Sequence, residues 1–230
     1  MKILGIVGGI GPESTIDYYR TLVASWQRRK PDGSYPRVII NSIDAERLMS
    51  CFKRADLESA AEELKIAVRR LADAGADVGL IAANTPHLVF DEVADAATIP
   101  LISIVDATCR AADSHGMQRP GLFGTRFTMQ ATFYPETFRR AGMTIVLPAA
   151  EEQEFIHDKY MTELINGTFL DETRTRLEAI VAAMQQRDGI DGLILGGTEL
   201  PLILKEPTCA GIPVLDTTRI HVESAIDRML

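Results

Sequence analysis

The polar groups best placed for chemistry lie in two eleven-residue stretches that repeat each other without a gap. The first is Gly75-Ala76-Asp77-Val78-Gly79-Leu80-Ile81-Ala82-Ala83-Asn84-Thr85, and the second is Gly189-Ile190-Asp191-Gly192-Leu193-Ile194-Leu195-Gly196-Gly197-Thr198-Glu199. Each opens on a helix-ending glycine and an Asp, runs through an apolar segment too short for a helix, and ends in hydroxyl, amide or carboxylate residues. That pattern predicts a buried parallel strand with polar groups at its carboxyl end, where open α/β sheets bind ligands. Two copies predict a site built from two facing halves. Asn84, Thr85, Thr198 and Glu199 then either bind a ligand or cap the following helices. His87 titrates near neutrality and can carry a proton, or is a hydrogen-bonded early-helix histidine. Glu199 is the best general base if burial raises its pKa. Its alternative is a carboxylate that holds a ligand ammonium or backbone amides.

These residues need strands and helices in alternation to position them. Lys2 to Val7 reads as a strand, and Gly8-Gly9-Ile10-Gly11-Pro12-Glu13-Ser14-Thr15 as a glycine-rich turn opening a helix to about Lys30. Backbone amides around Gly9 can hold an anion. Further strands are expected at 37–42, 78–82 and 99–104, with helices at about 57–74 and 91–97. The second half repeats this grammar: a strand and turn at 120–125, a helix at 128–141, a strand at 143–147, a helix at about 171–186, the second copy of the repeat, and Ile212-Pro213-Val214-Leu215-Asp216 echoing Ile99-Pro100-Leu101-Ile102-Ser103. Ser14 and Thr125 occupy equivalent places in the two glycine turns, where their hydroxyls bind carboxylate oxygens or cap loops. Matching features recur at an offset of roughly 113 to 117 residues. The fold expected is α/β, with two pseudo-symmetric lobes that are each a short parallel sheet flanked by helices. The first lobe is expected to comprise residues 1–105 plus 210–230, and the second 106–209.

Composition narrows the function. The chain has 230 residues, 46% hydrophobic and 24% charged, and a net charge of −8, which argues against a nucleic-acid surface. No apolar run approaches the roughly 18 residues of a membrane span, and Met1-Lys2 leads directly into a strand without a signal peptide, so a cytoplasmic location is expected. Cys51, Cys109 and Cys209 are too few and too scattered for a disulfide framework or a metal site. A dinucleotide reading of Gly9-Ile10-Gly11-Pro12-Glu13-Ser14 lacks the third glycine, although Asp44 stands near the place of a ribose contact.

The chain resembles the aspartate/glutamate racemase family. The matching residues are Gly8 to Thr15, Asn84-Thr85-Pro86-His87, Val105-Asp106-Ala107-Thr108, Gly124-Thr125-Arg126-Phe127-Thr128-Met129 and Gly196-Gly197-Thr198-Glu199. The resemblance implies two lobes enclosing a small carboxylate or amino acid, no cofactor, a homodimer, and two cysteines facing opposite sides of the substrate Cα. It also implies that Gly9, Ser14, Asn84, Thr85, Thr125 and Thr198 bind substrate, with Arg47 as the cation for a distal carboxylate. Both cysteines it implies are replaced, by Ala83 and Gly197. Neither residue ionises, so the two-thiol acid/base pair is missing. His87 and Glu199 are left as the candidate catalytic groups. The expected function is action on a small amino acid or carboxylate, with decarboxylase or lyase chemistry, or carboxylate binding without catalysis, as alternatives. Restoring both thiols, Ala83→Cys with Gly197→Cys, is expected to create racemisation if Gly197 does not need a positive φ.

Overall fold

A computed structural model describes all 230 residues. The chain divides into two compact units, residues 1–104 with 218–230, and residues 105–217.

The first unit begins with strand β1 (Leu4–Gly8) and helix α1 (Pro12–Arg29). Pro12 suits the first helical turn because its missing N–H has no partner to lose, and Arg28 and Arg29 close the last turn against the helix dipole. Tyr18, Leu22 and Trp26, four residues apart, form the buried stripe of α1. Next come β2 (Val38–Ser42), α2 (Ala45–Lys53), α3 (Leu57–Asp73), β3 (Val78–Ile81), a 3-10 turn (Thr85–Val89), α4 (Phe90–Ala96) and β4 (Leu101–Ile102). All pairings are parallel, in the order β2-β1-β3-β4. Asp44 and Asp56 cap α2 and α3 by accepting N–H bonds from Glu46 and Ser59. The core joins Leu4, Ile6, Val78 and Leu80 of the sheet to the α1 stripe and to Val222, Ala225, Ile226 and Met229 of the C-terminal helix.

The second unit contains α5 (Ile104–Ser114, starting one residue before it), β5 (Pro120–Gly124), α6 (Arg126–Gln130), α7 (Phe133–Arg140), α8 (Ala150–Thr162), α9 (Asp171–Asp188), β6 (Gly192–Gly196), α10 (Leu200–Ile203), β7 (Thr208–Cys209) and β8 (Ile212–Asp216). Its sheet order is β5-β6-β8-β7, parallel except for the antiparallel β7 edge. The helices pack Leu177, Ile180, Val181 and Met184 of α9 and Ile156 and Tyr160 of α8 into one core with Phe123, Leu193 and Leu195. The fold is therefore α/β, with two parallel-dominated sheets flanked by helices.

Several elements differ from expectation. The chain returns to the first unit at residue 218 and not 210, because β8 pairs with β6 and stays in the second sheet. The strand at 99–104 shortens to two residues, since Ile104 already begins a helix. One helix over 128–141 becomes two: Pro135 fits only an N-terminal turn, so a new helix starts at Phe133 after Ala131 turns extended. The segment 143–147 contributes one parallel bridge, Val146 with Gly121.

The Asp in each repeat has a structural task. Asp77 Oδ2 accepts the Ile3 N–H at 2.7 Å, and Asp191 accepts those of Gln118 at 2.5 Å and Arg119 at 3.0 Å, so each ties the entry of the neighbouring strand. Asp77→Ala and Asp191→Ala are each expected to lower unfolding free energy by about 1 kcal/mol, the usual worth of such a bond. Urea melts showing no change in either variant would refute this.

Candidate functional site

The polar ends of β3 and β6 are buried in their own units. In the first, Asn84, Thr85 and His87 follow β3 at the cap and start of a short 3-10 turn, with all three residues buried. His87 Nδ1 lies 3.1 Å from the Ala83 carbonyl, which can only accept, so Nδ1 carries the proton. Its Nε2 accepts the Ile104 N–H at 3.2 Å. Both ring nitrogens thus clamp the end of β3 to the start of α5, and Phe90 stacks on the ring at 4.6 Å. Burial, with the nearby His221 second, lowers the His87 pKa to about 3. A ring held neutral and doubly bonded to backbone is a poor proton carrier, so this environment opposes the expected catalytic role. His221 is held likewise, between the Tyr18 hydroxyl at 3.0 Å and the Ile102 carbonyl at 2.9 Å, and burial lowers its pKa to about 4.

The glycine turn after β1 is tightly constrained. Gly9 has φ +82°, and a Cβ there would lie 2.4 Å from the Ile43 carbonyl oxygen. Only glycine fits. The Gly9 N–H donates to Thr15 Oγ1 at 2.8 Å, and the buried Ser14 donates to the Gly11 carbonyl at 2.8 Å, a loop-cap arrangement. Asp44, the residue that kept the dinucleotide reading open, caps α2. Arg47 does not join the strand-end groups: its side chain is 70% exposed and ion-paired with Glu63 of α3. It lines an open cavity of about 410 Å³ with Ser50, Arg54 and Glu62.

In the second unit Thr125 caps α6, its Oγ1 accepting the Thr128 N–H at 3.3 Å. The buried Thr198 donates to Glu199 Oε2 at 3.0 Å. Glu199, 2% exposed, also receives a hydrogen bond from the phenol of Tyr160, a residue 6% exposed on α8. Burial first, and Glu199 second, raise the Tyr160 pKa well above its ordinary value, so the phenol stays protonated and donates. The Tyr160 ring also presses on Gly197: a Cβ built there would sit 2.4 Å from Cε2 and 3.1 Å from Oη. Gly197 is absent from the positive-φ glycines, so it is the ring, and not the backbone conformation, that makes glycine necessary.

Tyr160 was missed in sequence because α8 was not expected. Its signal is a Glu three residues after the capping position Ala149: Glu152 Oε2 accepts the Ala149 N–H at 2.7 Å. Burial raises the pKa of Cys109 and Cys209, which suits inert thiols. Cys209 lines a cavity of about 490 Å³ with Arg174, Glu178 and Lys205, and the strand-end residues are not part of that lining. No cluster of three or more His, Cys, Asp or Glu is arranged to hold a metal, and no helix is long and apolar enough to cross a membrane.

Two similar α/β units, each ending its central strand in buried polar groups, define the class of protein. The model for the family described as Asp/Glu/Hydantoin racemase matches residues 7–225, and the chain belongs to that family. An aspartate racemase homologue from Pyrococcus horikoshii OT3 is 34% identical, with TM-score 0.87, over 100% of this chain and 99% of that one. A candidate Asp/Glu racemase from Yersinia pestis is 32% identical with TM-score 0.90, over 100% and 99%. The broad specificity amino-acid racemase RacX of Bacillus subtilis (strain 168) is 23% identical, covering 99% of this chain and 98% of that protein.

Proposed function

We propose that this chain is an enzyme of small amino acids or related carboxylates that moves a proton at the carbon beside the carboxylate, using its own side chains in place of a two-thiol pair. The reading is carried by one observation: buried amide, hydroxyl and carboxylate groups stand at equivalent carboxyl ends of β3 and β6, at Asn84-Thr85 and Thr198-Glu199. Ligands of open α/β sheets gather at such ends. Donors there would also stabilise the charge that develops on a substrate carboxylate when its α-proton leaves.

Binding is the test. A panel of L- and D-amino acids and dicarboxylates should contain a ligand that, at a hundredfold its Kd, stabilises the fold by about 2.7 kcal/mol. For a chain of this size that is a melting shift of roughly 5 to 10 °C. Asn84→Ala and Thr198→Val should each shrink the shift. A panel that leaves the melting temperature unchanged would refute the reading.

A further inference from the structure

We propose that the Tyr160 phenol and the Glu199 carboxylate act as one proton-transfer pair at the end of β6, in the space that a side chain at position 197 would otherwise fill. This rests on the proposed function above. Three observations carry it. The phenol donates directly to the carboxylate, and Thr198 holds the same oxygen, so the pair has a defined direction for a proton to travel. Tyr160 Oη lies 3.1 Å from where a Gly197 Cβ would stand, which is the place a thiol on that residue would start from. The pair is almost wholly buried, although burying a carboxylate carries a desolvation cost that an apolar pair of similar size would not. Desolvated titratable groups with a specific partner concentrate where chemistry is done.

The step balances within the chain and substrate. The Cα–H bond of the substrate breaks and its electron pair remains on the substrate, spread onto the adjacent carboxylate. The proton goes to Tyr160 Oη while the phenol's own proton passes to Glu199 Oε2. Solvent hydrogen replaces the protons held by the pair before one is returned to the carbon, and that return reverses both transfers. The phenol is firmly protonated at neutral pH, so it serves as a base only by this simultaneous hand-over, and Glu199 is required as the acceptor. At the equivalent end of β3, Ala83 has no group that ionises. A single pair reaches a carbon from one side only, so the substrate exchanges its α-hydrogen with solvent while keeping its configuration.

The experiment follows α-hydrogen exchange in D₂O by proton NMR, using the amino acids that stabilise the full chain, with chiral chromatography alongside. Wild type should exchange with retention. Tyr160→Phe, which keeps the ring and its packing, should cut exchange at saturating substrate by about a hundredfold or more, the typical worth of a general acid–base group. Glu199→Gln should do the same, and in both variants the half-saturating concentration and ligand-induced melting shift should persist, which a merely structural role would not give. Exchange by Tyr160→Phe at the wild-type rate overturns the proposal, as does inversion by wild type. Stabilisation by an amino acid without any exchange overturns the pair's role but leaves the binding reading standing. If no ligand stabilises wild type, the binding reading fails first and the pair's role falls with it.

Discussion

Gly197→Cys is expected to destabilise the protein by about 1 to 3 kcal/mol, the usual range for overpacking a filled core, and to pull Tyr160 away from Glu199. A Cβ 2.4 Å from Cε2 and 3.0 Å from Cζ cannot be accommodated without moving the ring. That ring belongs to a core with Ile156, Leu164 and Leu177, so it has little room to retreat. Restoring the two thiols by Ala83→Cys with Gly197→Cys is therefore no longer expected to suffice for racemisation. Adding Tyr160→Ala vacates the space, and the triple variant should racemise aspartate or glutamate at least tenfold faster than the double. The measurement is chiral chromatography with urea melts of each variant. A double variant of wild-type stability that inverts either amino acid would show that the ring does not bar the thiol.

Acid is expected to cost the first unit heavily between pH 7.5 and 5. His87 and His221 have folded pKa values lowered to about 3 and about 4, against about 6.5 when unfolded. Between these values the unfolded chain binds protons that the folded chain refuses, so stability is full above the unfolded pKa and falls as pH drops. At pH 5 each histidine accounts for roughly 2 kcal/mol, at 1.36 kcal/mol per unit of pH below 6.5, or roughly 4 kcal/mol together. Burial is the main cause for both rings, and a proton on His87 Nε2 would in addition face the Ile104 N–H, which now donates to it. Urea midpoints at the two pH values measure the loss. His221→Gln, whose amide can both donate to Ile102 and accept from Tyr18, should roughly halve it. A loss under 1 kcal/mol in wild type would sink the explanation.

Local signals made much of the fold legible. Pro12 with the stripe at Tyr18, Leu22 and Trp26 marks α1, and Gly189, left-handed at φ +65°, ends α9 where the repeat begins. The repeat placed Asn84, Thr85, Thr198 and Glu199 at strand ends because its polar residues follow apolar runs of strand length. What escaped depends on contacts distant in sequence. Nothing near Gly197 announces a tyrosine 37 positions earlier, nor does the chain around His87 show that the Ile104 N–H, 17 residues on, claims the second ring nitrogen. Arg47 has a suitable charge, yet Glu63 on the neighbouring helix takes it.

The discontinuity of the first unit sets an order on its assembly during synthesis. Tyr18, Leu22 and Trp26 precede residues 105–217 in the chain, but their core partners Val222, Ala225, Ile226 and Met229, and the Tyr18 partner His221, follow them. Residues 105–217 include every strand of the second sheet and leave the ribosome before those partners do. The second unit can therefore close while the first still exposes the apolar face of α1, so of the two units the first is the one completed last.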